Sequence, residues 1–332
     1  MKKIINSPDN VVDEMLQGFV LSNLAKLRFS KGSSKAIVKK KLEDKVGVVI
    51  GGGSGHEPMF MGYVGDGLAD AVANGNVFAA PTPETILSAI KEVDCGKGVV
   101  CIFGNYSGDV LNFEMAKELA EIEDIKVENI IVRDDIASAS LEEKENRRGI
   151  AGDLYMIKLI GAASQMGYSF EECIQLGEKI NNNLFSVGVG FSPGTHPVNG
   201  EPGFYLDEGM MEFGLGIHGE PGIEQRPITS SEDICKMLVN FLLEEIGDEK
   251  ENEISMCVNG LGSTTLLELY IVAKDAANVF ESNNCKMMDV MVGSFCTTQE
   301  MGGLSISALI LDDEFKKLLE KKAVSSNFHK GV

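Results

Sequence analysis

Two histidines in glycine-rich loops are the residues best suited to covalent chemistry. His56 in GGGSGHEP and His218 in GLGIHGEPG each precede a Glu-Pro pair, His218 with one glycine between. A lone histidine is more often a packed or surface side chain, but two in matching loops indicate rings that meet across a crevice. Neutral imidazole is a nucleophile that can close reversibly with an activated ketone to a hemiaminal. We expect such capture at His218, and because Glu220 favours the imidazolium, a proton acceptor must be near.

The glycines before His56 predict a backbone that closely approaches a small polar ligand. They follow an apolar strand, and consecutive glycines let backbone N–H groups surround a ligand oxygen. The plain alternative is a tight turn. The dinucleotide fingerprint fails because His56 takes the place of its third glycine, and Walker A fails because no Gly-Lys-Ser/Thr follows. Gly53, Ser54, Gly55 and His56 are therefore candidate ligand-binding residues, and no nucleotide cofactor is expected.

Asp109 is a third candidate, in the loop GNYSGD that follows the next apolar strand. A carboxylate at a glycine-flanked strand end can take the proton of a hydroxyl group or accept its hydrogen bond. The plain alternative is an Asx-type turn. The Gly- and Pro-rich segment 193–202 predicts a loop bordering a crevice. Segment 295–299 predicts a turn between strands and carries no obvious chemistry.

Composition and charge exclude several classes of protein. Seven cysteines without a CxxC pair and four histidines without an HExxH pair predict no metal site. A formal charge of −20 would repel phosphate backbones, so direct binding to nucleic acid is not expected. No apolar stretch approaches the roughly 20 residues that span a bilayer, and the apolar run at the N-terminus is too short for a signal peptide. We expect a soluble, cytoplasmic chain that does not bind membranes.

Apolar strands alternate with helices in both halves of the chain, which predicts an α/β fold. The expected architecture is two α/β domains, each a mixed, mostly parallel sheet flanked by helices. Residues 1–183 would form the first domain and residues 184–332 the second. In such sheets ligands bind outside the carboxyl ends of the strands. The predicted strands are 46–50, 98–103, 129–132, 186–191, 211–217, 254–258, 287–293 and 304–311, and the predicted helices include 7–27 and 150–165.

The segments that carry these residues resemble a known family. GGGSGHEP, NYSGDVLNFEMA, RRGIAG, MEFGLGIHGEPGIE and NGLGSTTLLELY are similar to motifs of the K subunit of phosphoenolpyruvate-dependent dihydroxyacetone kinases. The resemblance implies a homodimer of two-domain subunits that binds dihydroxyacetone covalently on His218. It implies that Gly53 to His56 and Asp109 hold the hydroxyl groups of the ligand, and that His56 and Asp109 assist phosphoryl transfer. The nucleotide would belong to a separate L subunit.

The sequence departs from that family at positions that concern catalysis. Gly104 stands where the motif usually has a lysine, and Met59 to Met61 replace a histidine often found after HEP. Losing a cation near a transferring phosphoryl group can cost on the order of 10² in rate, whereas ketone capture needs no cation. This pattern resembles the non-kinase paralogues, which bind dihydroxyacetone and act as transcriptional coactivators through a TetR-like DNA-binding partner. We favour that function, and the alternative is the K subunit itself, with an L subunit as partner.

Overall fold

The computed structural model describes residues 3–247 and 252–331. The strands in these ranges form two six-stranded sheets and a two-stranded ribbon, with helices packed on the sheets. The prediction of two mixed sheets flanked by helices is confirmed. Within the same ranges, every helix is too short or too polar to cross a membrane.

The first sheet comes from the first half of the chain. Its strands are β1 (Leu27–Phe29), β2 (Ala36–Lys39), β3 (Gly47–Ser54), β4 (Ala71–Val77), β5 (Val99–Gly104) and β6 (Val127–Val132). Its helices are α1 (Val11–Ser22), α2 (Pro83–Val93), α3 (Ser107–Ile122), α4 (Asp153–Gln165) and α5 (Phe170–Asn181). The spatial order is β1-β2-β4-β3-β5-β6, in which β4, β3, β5 and β6 are parallel and the other pairs are antiparallel. This sheet is mostly parallel, as predicted.

The second sheet comes from the second half. Its strands are β7 (Leu184–Ser192), β8 (Met210–Phe213), β9 (Glu224–Pro227), β10 (Asn252–Gly260), β11 (Cys285–Gly293) and β12 (Gly302–Ile310), in the order β11-β10-β12-β7-β8-β9. Helices α6 (Ser231–Ile246) and α7 (Leu266–Ser282) belong to this half. Helix α8 (Asp313–Leu319) and the ribbon of β13 (Ala323–Val324) and β14 (His329–Lys330) follow. Segments of 3₁₀ helix lie at Pro8–Asn10, Met61–Tyr63 and Leu141–Asn146.

The second sheet is mostly antiparallel, and the prediction of a mostly parallel sheet there was wrong. Only β10 and β11 pair in parallel, and the other four neighbouring pairs are antiparallel. The reason lies in the connections. Helix α7 carries the chain back between β10 and β11, as a parallel pair requires, whereas loops alone join β7 to β8, β8 to β9 and β11 to β12.

Cap residues explain where two helices begin. Ser169 and Glu172 form a capping box at the start of α5, and the Ser230 side chain accepts the N–H of Asp233 at the start of α6. The predicted helix 7–27 is too long at its carboxyl end, because α1 ends at Ser22 and Leu27 begins an edge strand paired with β2. The predicted strand 211–217 ends earlier, at Phe213, because Gly214 has a φ of +78° and turns the chain.

The C-terminal segment packs against the first half of the chain. Phe315 of α8 belongs to the same hydrophobic cluster as Leu154 and Ile157 of α4, and the buried Lys158 Nζ donates to the Leu318 carbonyl at 2.7 Å. The division of the chain at residues 183 and 184 stays a prediction, although all strands of the first sheet precede that point. Helix α8 therefore packs in a hydrophobic core that is formed mainly by residues before position 183.

The carboxyl ends of the parallel strands meet at one edge of the first sheet. Ile50 of β3 pairs with Ile102 of β5, and Gly104 of β5 pairs with Val132 of β6. The chain leaves this edge toward His56 after β3 and toward Asp109 after β5. The candidate residues of the first half therefore lie together, in the position expected for a ligand site.

Candidate functional site

His56 and His218 meet between the two halves of the protein. Their Nε2 atoms are 2.9 Å apart and their ring centroids 4.8 Å apart. His56 lies on the loop that follows β3, and His218 on the loop that follows β8. The two glycine-rich loops singled out in the sequence thus converge from opposite sheets.

The hydrogen bonds of the two rings fix where their protons lie. His56 Nδ1 is 2.7 Å from the Thr297 carbonyl, which can only accept, so the Nδ1 atom carries hydrogen. A neutral His56 then has a free lone pair at Nε2, directed at His218. His218 Nδ1 is 2.9 Å from Glu220 Oε1, so that nitrogen donates to a carboxylate. With acceptors at both nitrogens, His218 in this arrangement is an imidazolium.

Burial keeps His56 neutral. Its side chain is 2% exposed, and desolvation together with the nearby charge of His218 lowers the pKa of His56 to about 3. Burial alone would raise the pKa of Glu220, but its hydrogen bond to His218 and the attraction of that ring outweigh burial and hold the pKa at about 2. The site therefore contains an acceptor imidazole, a cationic imidazole and a carboxylate in one line.

Arg148 and a glycine hold Glu220 in this line. The Arg148 guanidinium pairs with the buried Asp135 carboxylate at 2.8 Å and approaches Glu220 Oε2 at 3.8 Å. A Cβ atom on Gly216 would collide with both Glu220 and Arg148, so the close approach requires glycine there. Arg148 comes from the RRGIAG segment, whose role the sequence did not reveal.

Segment 295–299 positions both histidines, so the prediction that it is only a turn was incomplete. The Thr297 carbonyl accepts from His56, and the Thr298 hydroxyl donates to the carbonyl of Ile217, next to His218. Backbone carbonyls leave no trace in residue type, so no motif could have indicated this role.

Asp109 lies in the first turn of α3 and lines the same small cavity as both histidines and Gly53. The cavity is about 20 Å³ with the side chains in these positions, so a molecule larger than water binds there only if they move apart. Burial raises the pKa of Asp109 to about 7, against the lowering effect of His218. A Cβ atom on Gly53 would lie 2.9 Å from the Ala79 nitrogen, so only glycine allows this packing beside the cavity.

Ser54 and Gly55 do not face this cavity. The Ser54 hydroxyl donates to the Gly75 carbonyl at 2.8 Å, and the Gly55 N–H donates to the Glu57 carboxylate at 2.9 Å. Both residues line a different, larger cavity of about 480 Å³. Of the predicted ligand-binding residues, the structure therefore brings Gly53, His56, Asp109 and His218 together and places Ser54 and Gly55 outside the group.

Aromatic rings that the sequence did not single out enclose the histidines. The Phe78 ring lies 5.2 Å from His56, 5.5 Å from His218 and 5.6 Å from His196, between ring centroids. Tyr106, in the GNYSGD loop, lies 4.9 Å from His218. His196 belongs to the Gly- and Pro-rich loop predicted to border a crevice, whereas no sequence signal marks Phe78. Phe78 and Tyr106 thus pack against the paired imidazoles.

The part of the chain that the structure describes contains no group of three or more His, Cys, Asp or Glu side chains that could hold a metal ion.

Comparison with known protein families identifies the family of this chain. Residues 17–327 match the model of the Dak1 domain. The chain belongs to the Dak1 family. Among relatives of this Dak1 chain, the dihydroxyacetone-binding subunit DhaK of the PTS-dependent dihydroxyacetone kinase 1 of Listeria innocua is 43% identical over 95% of both chains. The DhaK subunit of the PEP-dependent dihydroxyacetone kinase of Escherichia coli is 35% identical over 95% of both chains.

Solved Dak1 structures include both a coactivator and a kinase. The dihydroxyacetone kinase operon co-activator DhaQ matches with a TM-score of 0.90 and 33% identity, over 96% of this chain and 98% of that one. The dihydroxyacetone kinase of C. freundii matches with a TM-score of 0.91 and 29% identity, over 99% of this chain but 60% of the longer kinase. The Dak1 fold is therefore common to both roles, and the choice between them depends on individual residues.

Replacing His56 by glutamine should weaken the loss of stability in acid. Because the folded-state pKa of about 3 lies below the ordinary 6.5, the unfolded chain gains a proton first as the pH falls. That lowers the free energy of unfolding by about 1.4 kcal/mol per pH unit below pH 6.5, or about 2 kcal/mol at about pH 5. Urea unfolding at about pH 7.5 and about pH 5 should show this loss in the wild type and not in His56→Gln. The exposed His329→Gln is the control, and equal losses in wild type and His56→Gln would contradict the assignment.

Proposed function

We propose that the chain captures dihydroxyacetone as a hemiaminal on His218 and acts as a ligand-sensing transcriptional coactivator through a TetR-like DNA-binding partner. One observation carries the first half of this proposal, the hydrogen-bonded line from Glu220 through His218 to His56 beside the cavity lined by Asp109. Relatives that carry the Dak1 domain bind dihydroxyacetone by name, which supports this ketone as the ligand.

Glu220 selects which nitrogen of His218 reacts. Its carboxylate holds the Nδ1 hydrogen, so the Nε2 atom is the one directed at the cavity. Nε2 carries a hydrogen and cannot attack until that proton leaves. His56 Nε2, 2.9 Å away with a free lone pair, accepts it. His56 is therefore the proton acceptor that capture requires.

The capture step needs no proton from solvent. The freed lone pair of His218 Nε2 forms a bond to the carbonyl carbon while the C=O double bond becomes single, and the oxygen takes the proton back from His56. An N–H bond and a carbonyl π bond are replaced by an N–C bond and an O–H bond. One positive charge moves from the His218 ring to His56 with the proton and returns to the His218 ring when the N–C bond has formed and the oxygen is protonated, balanced throughout by Glu220. Asp109 accepts a hydrogen bond from a ligand hydroxyl, more strongly as a carboxylate than as a neutral acid.

Mixing the protein with dihydroxyacetone should yield an adduct, detected by intact-protein mass. His218→Ala should abolish the adduct because it removes the nucleophile that lies beside the proton acceptor His56, and glycerol should give none because it has no carbonyl. His196→Ala, which changes a histidine that only borders the site, is the matched control and should retain the adduct. An adduct that persists in His218→Ala would refute the assignment.

Position 104 supports the coactivator role. Gly104 lines the cavity, at the place where the kinase motif usually carries a lysine. Overall similarity does not distinguish the roles, because identity to DhaK subunits reaches 43% and identity to the co-activator is 33%, each over nearly the whole chain. Ketone capture uses His218, His56 and Glu220, all present, whereas phosphoryl transfer needs positive charge that this position no longer supplies.

A sensor with this charge requires a basic partner to reach DNA. The formal charge of −20 repels phosphate, so the DNA contact belongs to the TetR-like protein. When the chain is mixed with its candidate TetR-like regulator and operator DNA, a ternary complex should form in gel-shift experiments only with dihydroxyacetone present. His218→Ala should not respond to the ligand. The same amount of complex with and without ligand would exclude the sensor role.

The second candidate is the substrate-binding K subunit, favoured by the 43% identity to a DhaK subunit and by the retained His56 and Asp109. A coupled assay with a nucleotide-loaded L subunit tests it, and we expect no dihydroxyacetone phosphate from the wild type. Gly104→Lys is the informative variant. A Cβ atom there would lie 3.3 Å from the Gly149 carbonyl and 3.3 Å from the Tyr106 ring, so the Cβ atom itself requires only small shifts. Turnover by the wild type would exclude the sensor-only role, and turnover gained in Gly104→Lys would show that this cation alone was missing.

We also propose that the chain forms a homodimer through α7 and β11. Strand β11 is the last strand at its side of the second sheet, and exposed apolar side chains lie on and beside it. They are Leu266, Leu267, Tyr270, Ile271, Met288 and Val290. A second copy could bury this face, and a standard interface covers about 800 Å² on each partner.

The double variant Leu267→Glu/Tyr270→Glu should sediment at half the mass of the wild type, because two carboxylates would have to be desolvated in the interface. Leu119→Glu, an exposed apolar residue on α3, is the control and should leave the mass unchanged. An unchanged mass in the double variant would exclude this interface.

A further inference from the structure

Three buried polar atoms around the ligand cavity have no hydrogen-bond partner among the protein residues that the structure describes. They are the Tyr106 hydroxyl, Asp109 Oδ1 and Asp153 Oδ1, and all three residues line the cavity together with both histidines. A buried polar atom left without a partner destabilises the folded protein. Several such atoms around one cavity indicate that a polar ligand supplies their partners. The capture chemistry described above makes no use of Asp153.

Asp153 is held firmly at the edge of the cavity. It is the first residue of α4 and is 2% exposed. The buried Asp134 carboxylate accepts the N–H groups of Ile150 and Gly152 at 2.8 and 2.9 Å, which fixes the turn directly before it. The backbone position of Asp153 is therefore determined by structure outside the cavity.

Asp153 does not serve as a cap for α4. The N-cap residue is Gly152, and no side-chain cap bond is made at this helix start. A carboxylate at a helix N-terminus is favoured by the helix dipole, but burial and the negative charges of Asp134 and Asp109 raise the pKa of Asp153 well above its ordinary value. An acid whose pKa is raised keeps its proton to higher pH, and a protonated carboxyl group can donate a hydrogen bond through its O–H.

We propose that Asp153 is a specificity-determining residue that binds the second hydroxyl group of the ketone captured on His218. This inference rests on the proposed capture of dihydroxyacetone. When the central carbon is bonded to Nε2, the two hydroxymethyl arms of the ligand diverge. Two carboxyl groups, from the starts of α3 and α4, line the cavity around them. Asp109 binds one arm as acceptor, and Asp153 binds the other as donor.

The assignment predicts which ligands the site distinguishes. Hydroxyacetone has the same carbonyl and only one of the two hydroxyl groups, so it can occupy Asp109 and leave Asp153 without a partner. The wild type should bind dihydroxyacetone at least about tenfold more tightly, since one hydrogen bond in a buried site contributes about 1.4 kcal/mol or more. Titration of the adduct by intact-protein mass measures both affinities.

Asp153→Leu should remove this preference. The variant should bind dihydroxyacetone about tenfold more weakly or worse, and its affinity for hydroxyacetone should stay within about twofold of the wild type. Asp153→Asn keeps a donor and an acceptor at the same place and should restore most of the affinity for dihydroxyacetone. Asp275→Asn, a buried carboxyl on α7 outside the cavity, is the matched control and should leave both affinities unchanged.

Equal weakening of both ligands in Asp153→Leu, or no change in either, would overturn the proposal. Urea unfolding without ligand checks that the variants are folded. Because the change removes a buried acid that has no partner, we expect the variants to be at least as stable as the wild type. If the leucine variant does not fold, the test rests on Asp153→Asn and on the preference of the wild type for dihydroxyacetone over hydroxyacetone. Equal affinity of the wild type for the two ketones would overturn the proposal. Absence of any adduct with either ketone is a different result, which refutes capture at His218 itself.

Discussion

The hydrogen bond between His56 and His218 is the interaction on which the site depends. It joins the loop after β3 of one sheet to the loop after β8 of the other, and its direction is determined at both ends. Burial makes His56 neutral, and the Thr297 carbonyl takes its only hydrogen, so His56 must accept from His218. Glu220 in turn makes His218 a cation by accepting at the other nitrogen. If either half moved relative to the other, this order of protons would be lost.

The sequence correctly predicts the parts of this arrangement that depend on residue type. Glycines around His56 and His218 mark loops that allow close packing, and β-branched strands followed by amphipathic helices predict the parallel part of the first sheet. The mostly antiparallel second sheet was not predicted. Loops alone connect β7 to β8 and β8 to β9, and the residue pattern of these segments gives little indication that helices are missing there. The roles of Thr297 and Arg148 were missed because they depend on which chain segments meet in space. Ser54 was predicted to bind the ligand because it lies in the glycine-rich loop, but its hydroxyl donates to the Gly75 carbonyl instead.

Desolvation determines the chemistry of the carboxyl groups around the cavity. Asp109 and Asp153 are both buried, and burial raises the pKa of each, whereas Glu220 stays ionised because a cationic ring and an arginine lie beside it. Carboxyl groups of similar intrinsic acidity thus have pKa values shifted in opposite directions within one site. Around this cavity, Asp109 Oδ1 and Asp153 Oδ1 have no hydrogen-bond partner among the described residues. Such atoms lower the stability of the fold, and they are available to bind a polar ligand.

The return of α8 to the first half has a consequence for how the chain folds during synthesis. The cluster that includes Leu154 and Ile157 needs Phe315, about half the chain length away in sequence, and Lys158 reaches the Leu318 carbonyl across the same interval. The first sheet therefore leaves the ribosome before the segment that covers its core, and contacts of such long sequence separation form late. Until residues near 315 emerge, the apolar surface of α4 stays open to other proteins. The strands of the second sheet lie in sequence between these contacts, so they are synthesised before the core of the first half is complete.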